Sequence, residues 1–353
     1  MSTLSTAALV VLLVVTGVAT FTLVNSWLIE RRNPPVGVFA DVDGTRLHHV
    51  HVPAAPGADL PPLVFVHGAS GNLNDQMVPL RPLLEGRAEM LFVDRPGHGW
   101  SERGAGNDTP VEQAATIAAL MRQLNIQRAV IVGHSFGGAV VAALALGHPD
   151  RVQGLVFVAA ATHPWPGGGT SWYYELASRP VAGPMFGWTL ANPGGMMRLD
   201  AATTCVFAPN PVPAGYAARA QIPLVLRPPA FLANAIDVEG LYRHVKAMAP
   251  RYGEIVAPTV VISGDSDTVV YEELHSLGLA RDIPGAELAW VRNLGHKPDW
   301  TAADLVVGAI EKVSGRSVDL APLVASVEAR IAANRFGTDC ADDPAPTAEL
   351  APQ

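Results

Sequence analysis

The segment Val130-Ile131-Val132-Gly133-His134-Ser135-Phe136-Gly137-Gly138 sets a serine between two glycines in Gly-x-Ser-x-Gly spacing, after an apolar run and before an Ala/Val-rich stretch. A serine hydroxyl is a poor nucleophile unless a sharp turn presents it where a base can reach it. Gly133 and Gly137 supply the room for such a turn. Ser135 is therefore the candidate nucleophile, with Gly133, His134 and Gly137 as its elbow. Phosphate-binding readings fail, because the chain lacks Gly-x-x-x-x-Gly-Lys-Ser/Thr and Ser135 stands where Gly-x-Gly-x-x-Gly needs its second glycine. A serine nucleophile also needs a base and a carboxylate to orient that base. His148 and His163 have turn-like contexts, and the His134 ring is expected to point away from the Ser135 hydroxyl. A second cluster, His48, His49 and His51, invites a metal test. Alternate strand residues face opposite sides, so only His49 and His51 share a face, and a polar edge hairpin is the better expectation than a metal site.

These residues need a frame. The chain has 353 residues, of which 16% are charged and 49% hydrophobic, which excludes global disorder and a polar coiled coil. A net charge of −8 excludes the basic surface that grips nucleic acid. The 33 glycines and 30 prolines follow no collagen period and suit many short elements joined by turns. Cys205 and Cys340 form no metal or disulfide spacing. Two strands are predicted at 36–41 and 45–52 around an Asp43-Gly44 turn. Apolar runs at 63–66, 90–93, 129–132, 155–159 and 259–262 alternate with helical patterns such as 111–124 and 137–146. That rhythm predicts an α/β fold with a mostly parallel sheet buried on both faces.

Residues 1–32 form a separate unit. No charged side chain occurs before Glu30, and the 18 residues 7–24 would span roughly 27 Å as a helix, enough to cross a bilayer. MSTLST lacks the basic start of a secretory leader. A single-pass N-terminal anchor is expected, with Arg31 and Arg32 favouring a cytoplasmic catalytic domain. Asn33-Pro34-Pro35 then opens the soluble part. Its predicted organisation is a first core segment at 33–160, an inserted cap at 161–256 rich in Trp, Tyr, Met, Pro and Gly, a second core segment at 257–314, and a C-terminal helix near 318–333 followed by a disordered tail at 339–353.

With the strand, elbow and helix in that order, the sequence resembles the α/β-hydrolase fold family over residues 36–313. The segment Leu63-Val64-Phe65-Val66-His67-Gly68-Ala69 is similar to the family's strand ending in His-Gly, and by that resemblance the amides of Ala69 and Phe136 form the oxyanion hole. Asp94-Arg95-Pro96-Gly97-His98-Gly99-Trp100-Ser101 resembles an architectural loop, which makes Asp94 and His98 packing residues, and His67 is expected to be structural. The family's chain order of serine, acid and histidine, together with its Gly-x-x-Asp-x-Val pattern, implies Asp267 rather than Asp265 as the acid and His296 as the base.

The implied chemistry is hydrolysis of a carboxylic ester or related acyl bond through an acyl-enzyme, without metal or organic cofactor. The aromatic cap and the anchor favour a small, hydrophobic or lipid-like ester. Relatives that cleave carbon–carbon bonds, proline iminopeptidases and cofactor-free haloperoxidases keep the same triad and remain alternatives. Dehalogenases and epoxide hydrolases carry Asp at the elbow and are disfavoured by Ser135. A membrane-anchored binding protein without turnover is the rival from another class, and the intact Ser135, Asp267 and His296 argue against it.

Overall fold

The computed structural model describes residues 3–334; the tail expected at 339–353, with Cys340, lies outside the described residues. Helix α1 (Thr3–Arg32) comes first, and by length and composition it is apolar enough to cross a membrane. A hairpin follows, β1 (Val38–Val42) and β2 (Thr45–Val52), turning at Asp43-Gly44 with both residues at positive φ.

The core then alternates as the apolar runs require. β3 (Leu63–Val66), α2 (Asn74–Leu84), β4 (Met90–Val93), α3 (Pro110–Gln123), β5 (Ala129–His134), α4 (Phe136–Gly147) and β6 (Val152–Val158) lead to the insertion. The insertion holds α5 (Trp172–Ala177), α6 (Ala182–Phe186), a wide π turn over Gly187–Ala191, α7 (Asn192–Phe207), α8 (Tyr216–Arg219) and α9 (Pro228–Met248). The chain returns through β7 (Thr259–Gly264), α10 (Glu272–Asp282) and β8 (Glu287–Val291), then α11 (Pro298–Thr301), α12 (Ala303–Val313) and α13 (Ala321–Ile331).

The eight strands lie in the order β1-β2-β4-β3-β5-β6-β7-β8. Only the pairs β1–β2 and β2–β4 are antiparallel. Alternation along each strand divides the core in two. Val64, Val66, Leu91, Ile131 and Phe157 face α3, α4 and the end of α9, whereas Leu63, Phe65, Phe92, Val132 and Val158 face α2, α12 and α13.

Two local expectations are corrected. His48 and His49 are buried rather than part of a polar edge, because β2 is an inner strand and β1 takes the edge; His48 Nδ1 lies 2.7 Å from Asp94 Oδ2. The last core helix, α12, is set off from the short α11 at Ala302, where φ is −133° and ψ 40°. Nor does residue 256 bound the cap cleanly. Leu241, Val245, Met248, Tyr252 and Ile255 belong to the core beneath the sheet, so α9 starts in the cap and ends in the body.

Candidate active site

Four loops at the C-terminal ends of parallel strands carry the candidate residues: Ala69 after β3, Ser135 after β5, Asp267 after β7 and His296 after β8. Ser135 sits at φ 51° and ψ −122°, a conformation that costs on the order of 1–3 kcal/mol for a residue with a Cβ. The packing around the elbow enforces it. A Cβ on Gly133 would lie 2.6 Å from Val141 Cγ2, one on Gly137 would overlap the carbonyl oxygen of Val66, and one on Gly68 would lie 2.9 Å from Ser135 Cβ. The two elbow glycines are thus steric necessities, and β3 ends against the serine.

Peptide planarity fixes where the two candidate oxyanion donors point, since C=O and N–H of a trans peptide face opposite ways. The Ser135 carbonyl accepts from the amides of Gly138 (2.9 Å) and Ala161 (3.0 Å), which turns the Phe136 N–H outward from that pair. The Gly68 carbonyl is drawn toward Arg95 Nη2 (3.1 Å) and His67 Nδ1 (2.7 Å), which turns the Ala69 N–H away from Arg95. Neither the Ala69 nor the Phe136 amide hydrogen-bonds within the described residues.

Sequence reading did not single out Arg95, yet it organises this corner. Its fully buried guanidinium donates to the carbonyls of His67 and Gly68, pairs with Asp237 on α9 at 2.5 Å, and stacks over the Phe136 ring. Next to Ala69, Ser70 at φ 56° donates its amide to Asn234 Oδ1 (2.6 Å), and Asn234 Nδ2 donates to Ser70 Oγ (3.1 Å). His67 accepts the Arg95 amide at Nε2, 3.0 Å away, and burial holds its pKa well below the usual range, so it stays neutral as a structural residue.

The candidate acid and base meet directly. Asp267 Oδ2 lies 2.7 Å from His296 Nδ1, and Oδ1 accepts from the amides of Val269 (2.8 Å) and Val270 (3.0 Å). Asp265 instead binds the Asn293 amide at 2.7 Å, which shapes the turn before the histidine. His134 Nε2 donates to the His296 carbonyl at 2.8 Å, and the two rings lie 4.9 Å apart. The residue beside the serine therefore holds the backbone of the candidate base. Burial keeps His134 neutral. Ser135 Oγ and His296 Nε2 make no hydrogen bond among the described residues. Asn210 in the cap completes the histidine loop, accepting the Gly295 amide and donating to the Asn293 carbonyl, each at 2.8 Å.

Behind His296 lies a buried charge cluster. Lys297 Nζ donates to Asp75 Oδ2 (2.8 Å) and Asp299 Oδ2 (3.1 Å), and Tyr216 Oη donates to Asp75 Oδ1 at 2.9 Å. Burial pulls the Lys297 ammonium pKa down, but Asp299 and Asp75 outweigh it and the net shift is upward. Asp75, His134 and Asp299 bring ligand-type atoms within 4.8 Å of one another, the arrangement of a cation site; the Lys297 ammonium supplies that cation from the chain itself. Lys297→Met is expected to cost about 3–5 kcal/mol, because it strands two buried carboxylates. Denaturant unfolding checks this, and Lys297→Met with Asp75→Asn should recover part of the loss. Unchanged stability would mean that the cluster carries no such weight.

Glu272, at the start of α10, is half-buried. Desolvation raises its carboxyl to about 7, with the charges of Asp267, Glu273 and Asp265 adding to the effect. A folded pKa above the unfolded one means that the ionised form weakens the fold: this cost is absent below about pH 4.5 and complete above about pH 7. Glu272→Gln should therefore melt about 2–4 °C higher than the parent at pH 8 and match it at pH 4.5. Equal melting at pH 8 would contradict the assigned desolvation.

Residues 61–186 match the family described as alpha/beta hydrolase fold. Over 120 residues the chain is 36% identical to the dihydrolipoyllysine-residue acetyltransferase component of the acetoin cleaving system of Cupriavidus necator, a match covering 34% of this chain and 31% of that protein. The chain thus spans about a third of the length of the acetyltransferase components it matches. It is 28% identical over 262 residues to the 2-hydroxy-6-oxononadienedioate/2-hydroxy-6-oxononatrienedioate hydrolase of Cupriavidus pinatubonensis, covering 70% of this chain and 84% of that one. Among solved structures, the enol-lactonase of Burkholderia xenovorans LB400 aligns with a TM-score of 0.63 at 24% identity, covering 79% of this chain and 100% of its own.

Proposed function

We propose, on the premise that the chain belongs to the α/β-hydrolase fold family, that it is a serine hydrolase of carboxylic esters with hydrophobic acyl groups. The observation that carries this reading is the 2.7 Å contact between Asp267 Oδ2 and His296 Nδ1 at the strand ends where the elbow presents Ser135. Asp267 holds the proton on Nδ1, which leaves His296 Nε2 as an acceptor. When substrate binds, Nε2 takes the Ser135 hydroxyl proton as Oγ attacks the carbonyl carbon. The bond between Oγ and Nε2 tightens only in that complex. The amides of Ala69 and Phe136 stabilise the oxyanion, each donor being worth about 10²–10³ in rate. Collapse expels the alcohol, protonated by His296, and leaves an acyl-Ser135. Water, deprotonated by the same imidazole, then releases the acid.

The likeness to a hydrolase acting on a dienedioate supports a second reading, cleavage of a carbon–carbon bond by the same residues. Apolar helix α1 supports a membrane anchor, with the basic pair Arg31 and Arg32 on the catalytic side. A panel of p-nitrophenyl esters of rising acyl length, set against a vinylogous 1,5-diketone acid, separates the two bond classes. Turnover of the esters, rising from acetate to octanoate, is expected; turnover of the diketone alone would replace the ester reading with the second.

A further inference from the structure

We infer that the cap docks on the lipid bilayer, through the apolar surface of residues 181–197 beside helix α1. The inference rests on reading α1 as a membrane anchor, and it concerns a different part of the chain.

The C-terminal half of α1 is bound to the cap. Thr22 Oγ1 donates to the Thr189 carbonyl at 3.2 Å, and Asn25 Nδ2 donates to Asn192 Oδ1 at 2.8 Å. Arg227, which leads into α9, pairs with Glu30 at 3.0 Å. These contacts fix where α1 leaves the body: its first half, including Leu4 and residues 9–15, is exposed, and Thr22 meets the body at Thr189. A hydrocarbon layer about 30 Å thick that covers this half must end near the π turn.

The cap at that level is apolar where water would favour polar groups. Met185 is 68% exposed, Leu190 59% and Met197 88%, and Val181 and Trp188 are also exposed. Single exposed apolar residues are ordinary, but Met185, Trp188, Leu190 and Met197 lie along one continuous helical stretch, whose π turn and α7 pack against the apolar helix α1. The order along the α1 axis matches the chemistry of a bilayer surface. Exposed Leu23 and Val24 come first. Next come Trp27 and Trp188, which line a crevice of about 230 Å³ between helix and cap; Glu30, Arg31 and Arg32 follow. Arg31 stacks over Trp27 with 4.7 Å between Cζ and the ring centroid. Apolar, then aromatic, then charged is the gradient that residues follow from acyl chains through headgroups to water.

The test uses the full chain with Cys205→Ser and Cys340→Ser, reconstituted into phosphatidylcholine/phosphatidylglycerol vesicles. A bimane fluorophore is placed in turn at Met185→Cys, Leu190→Cys, Leu12→Cys and Val256→Cys, and quenched by phosphatidylcholine brominated on its acyl chains. Val256 is exposed just before β7, at the end of the sheet away from the candidate site. Strong quenching at 12, and quenching at 185 and 190 at least about threefold above that at 256, is expected for a docked cap. Quenching at 12 with 185 and 190 no different from 256 overturns the docking while leaving the anchor intact. No quenching at 12 overturns both. Disulfide cross-linking between two Leu190→Cys chains without lipid quenching would assign the face to a second copy and overturn the proposal. As a second measurement, Met185→Glu with Leu190→Glu should lower the ratio of turnover on a vesicle-borne long-chain ester to turnover on a soluble butyrate ester by about tenfold. An unchanged ratio counts against docking. Loss of both activities in the parent chain would instead strike at the hydrolase reading.

Discussion

Ser135→Ala is expected to lower kcat by about 10⁴–10⁶, with KM changed only severalfold. In the proposed mechanism the hydroxyl supplies the bond-forming atom. Ser70, one residue past Ala69, and Ser101, in the loop after β4, are both engaged: Ser70 Oγ accepts from Asn234, and Ser101 Oγ donates to the Asp94 carbonyl at 2.7 Å. Fold integrity should survive, because an alanine at this position needs the same backbone angles and takes less space. Steady-state kinetics with a p-nitrophenyl ester, beside a melting curve, separates lost chemistry from lost structure. Activity within about tenfold of the parent would remove Ser135 from the mechanism.

Asp267→Asn is the second large effect, about 10⁴ in kcat near neutral pH, and its cause is a tautomer. The amides of Val269 and Val270 both donate to Oδ1, so an asparagine keeps its carbonyl oxygen there and turns its NH₂ toward His296. That NH₂ can only donate, so Nδ1 must accept and the ring proton moves to Nε2. The imidazole can then no longer take the proton of Ser135. Asp265→Asn is the control: its carboxylate reaches the Asn293 amide and the Ser266 hydroxyl rather than the histidine, and a change within about tenfold is expected. A larger loss in Asp265→Asn than in Asp267→Asn would reverse the assignment of the acid.

Local patterning made much of this molecule readable. Strands such as Leu63–Val66 and Met90–Val93 are uninterrupted apolar runs because both their faces are covered, and the elbow is a contiguous motif with its glycines enforced by sterics. The unread features depend on partners far apart along the chain. Lys297 and Asp75 are 222 residues apart, so in sequence each looks like an ordinary solvated charge. Arg95 sits in a recognisable loop, but its role comes from Asp237, which lies in the inserted segment. His48 reads as part of a polar edge strand until the antiparallel pairing of β2 with β4 buries it beside Asp94. Helix α9 begins on Pro228 and Pro229 in the cap and ends on Val245 and Met248 in the core, so its composition marks no boundary.

The central claim is that the hydroxyl of Ser135 is activated, and covalent capture tests it most directly. The full chain is treated with a fluorophosphonate, digested, and the modified peptide identified by mass spectrometry. The predicted result is one adduct, on Ser135, lost in His296→Ala as well as in Ser135→Ala. An adduct on Ser70 or Ser101, or an unmodified chain that still turns over ester, would contradict the account.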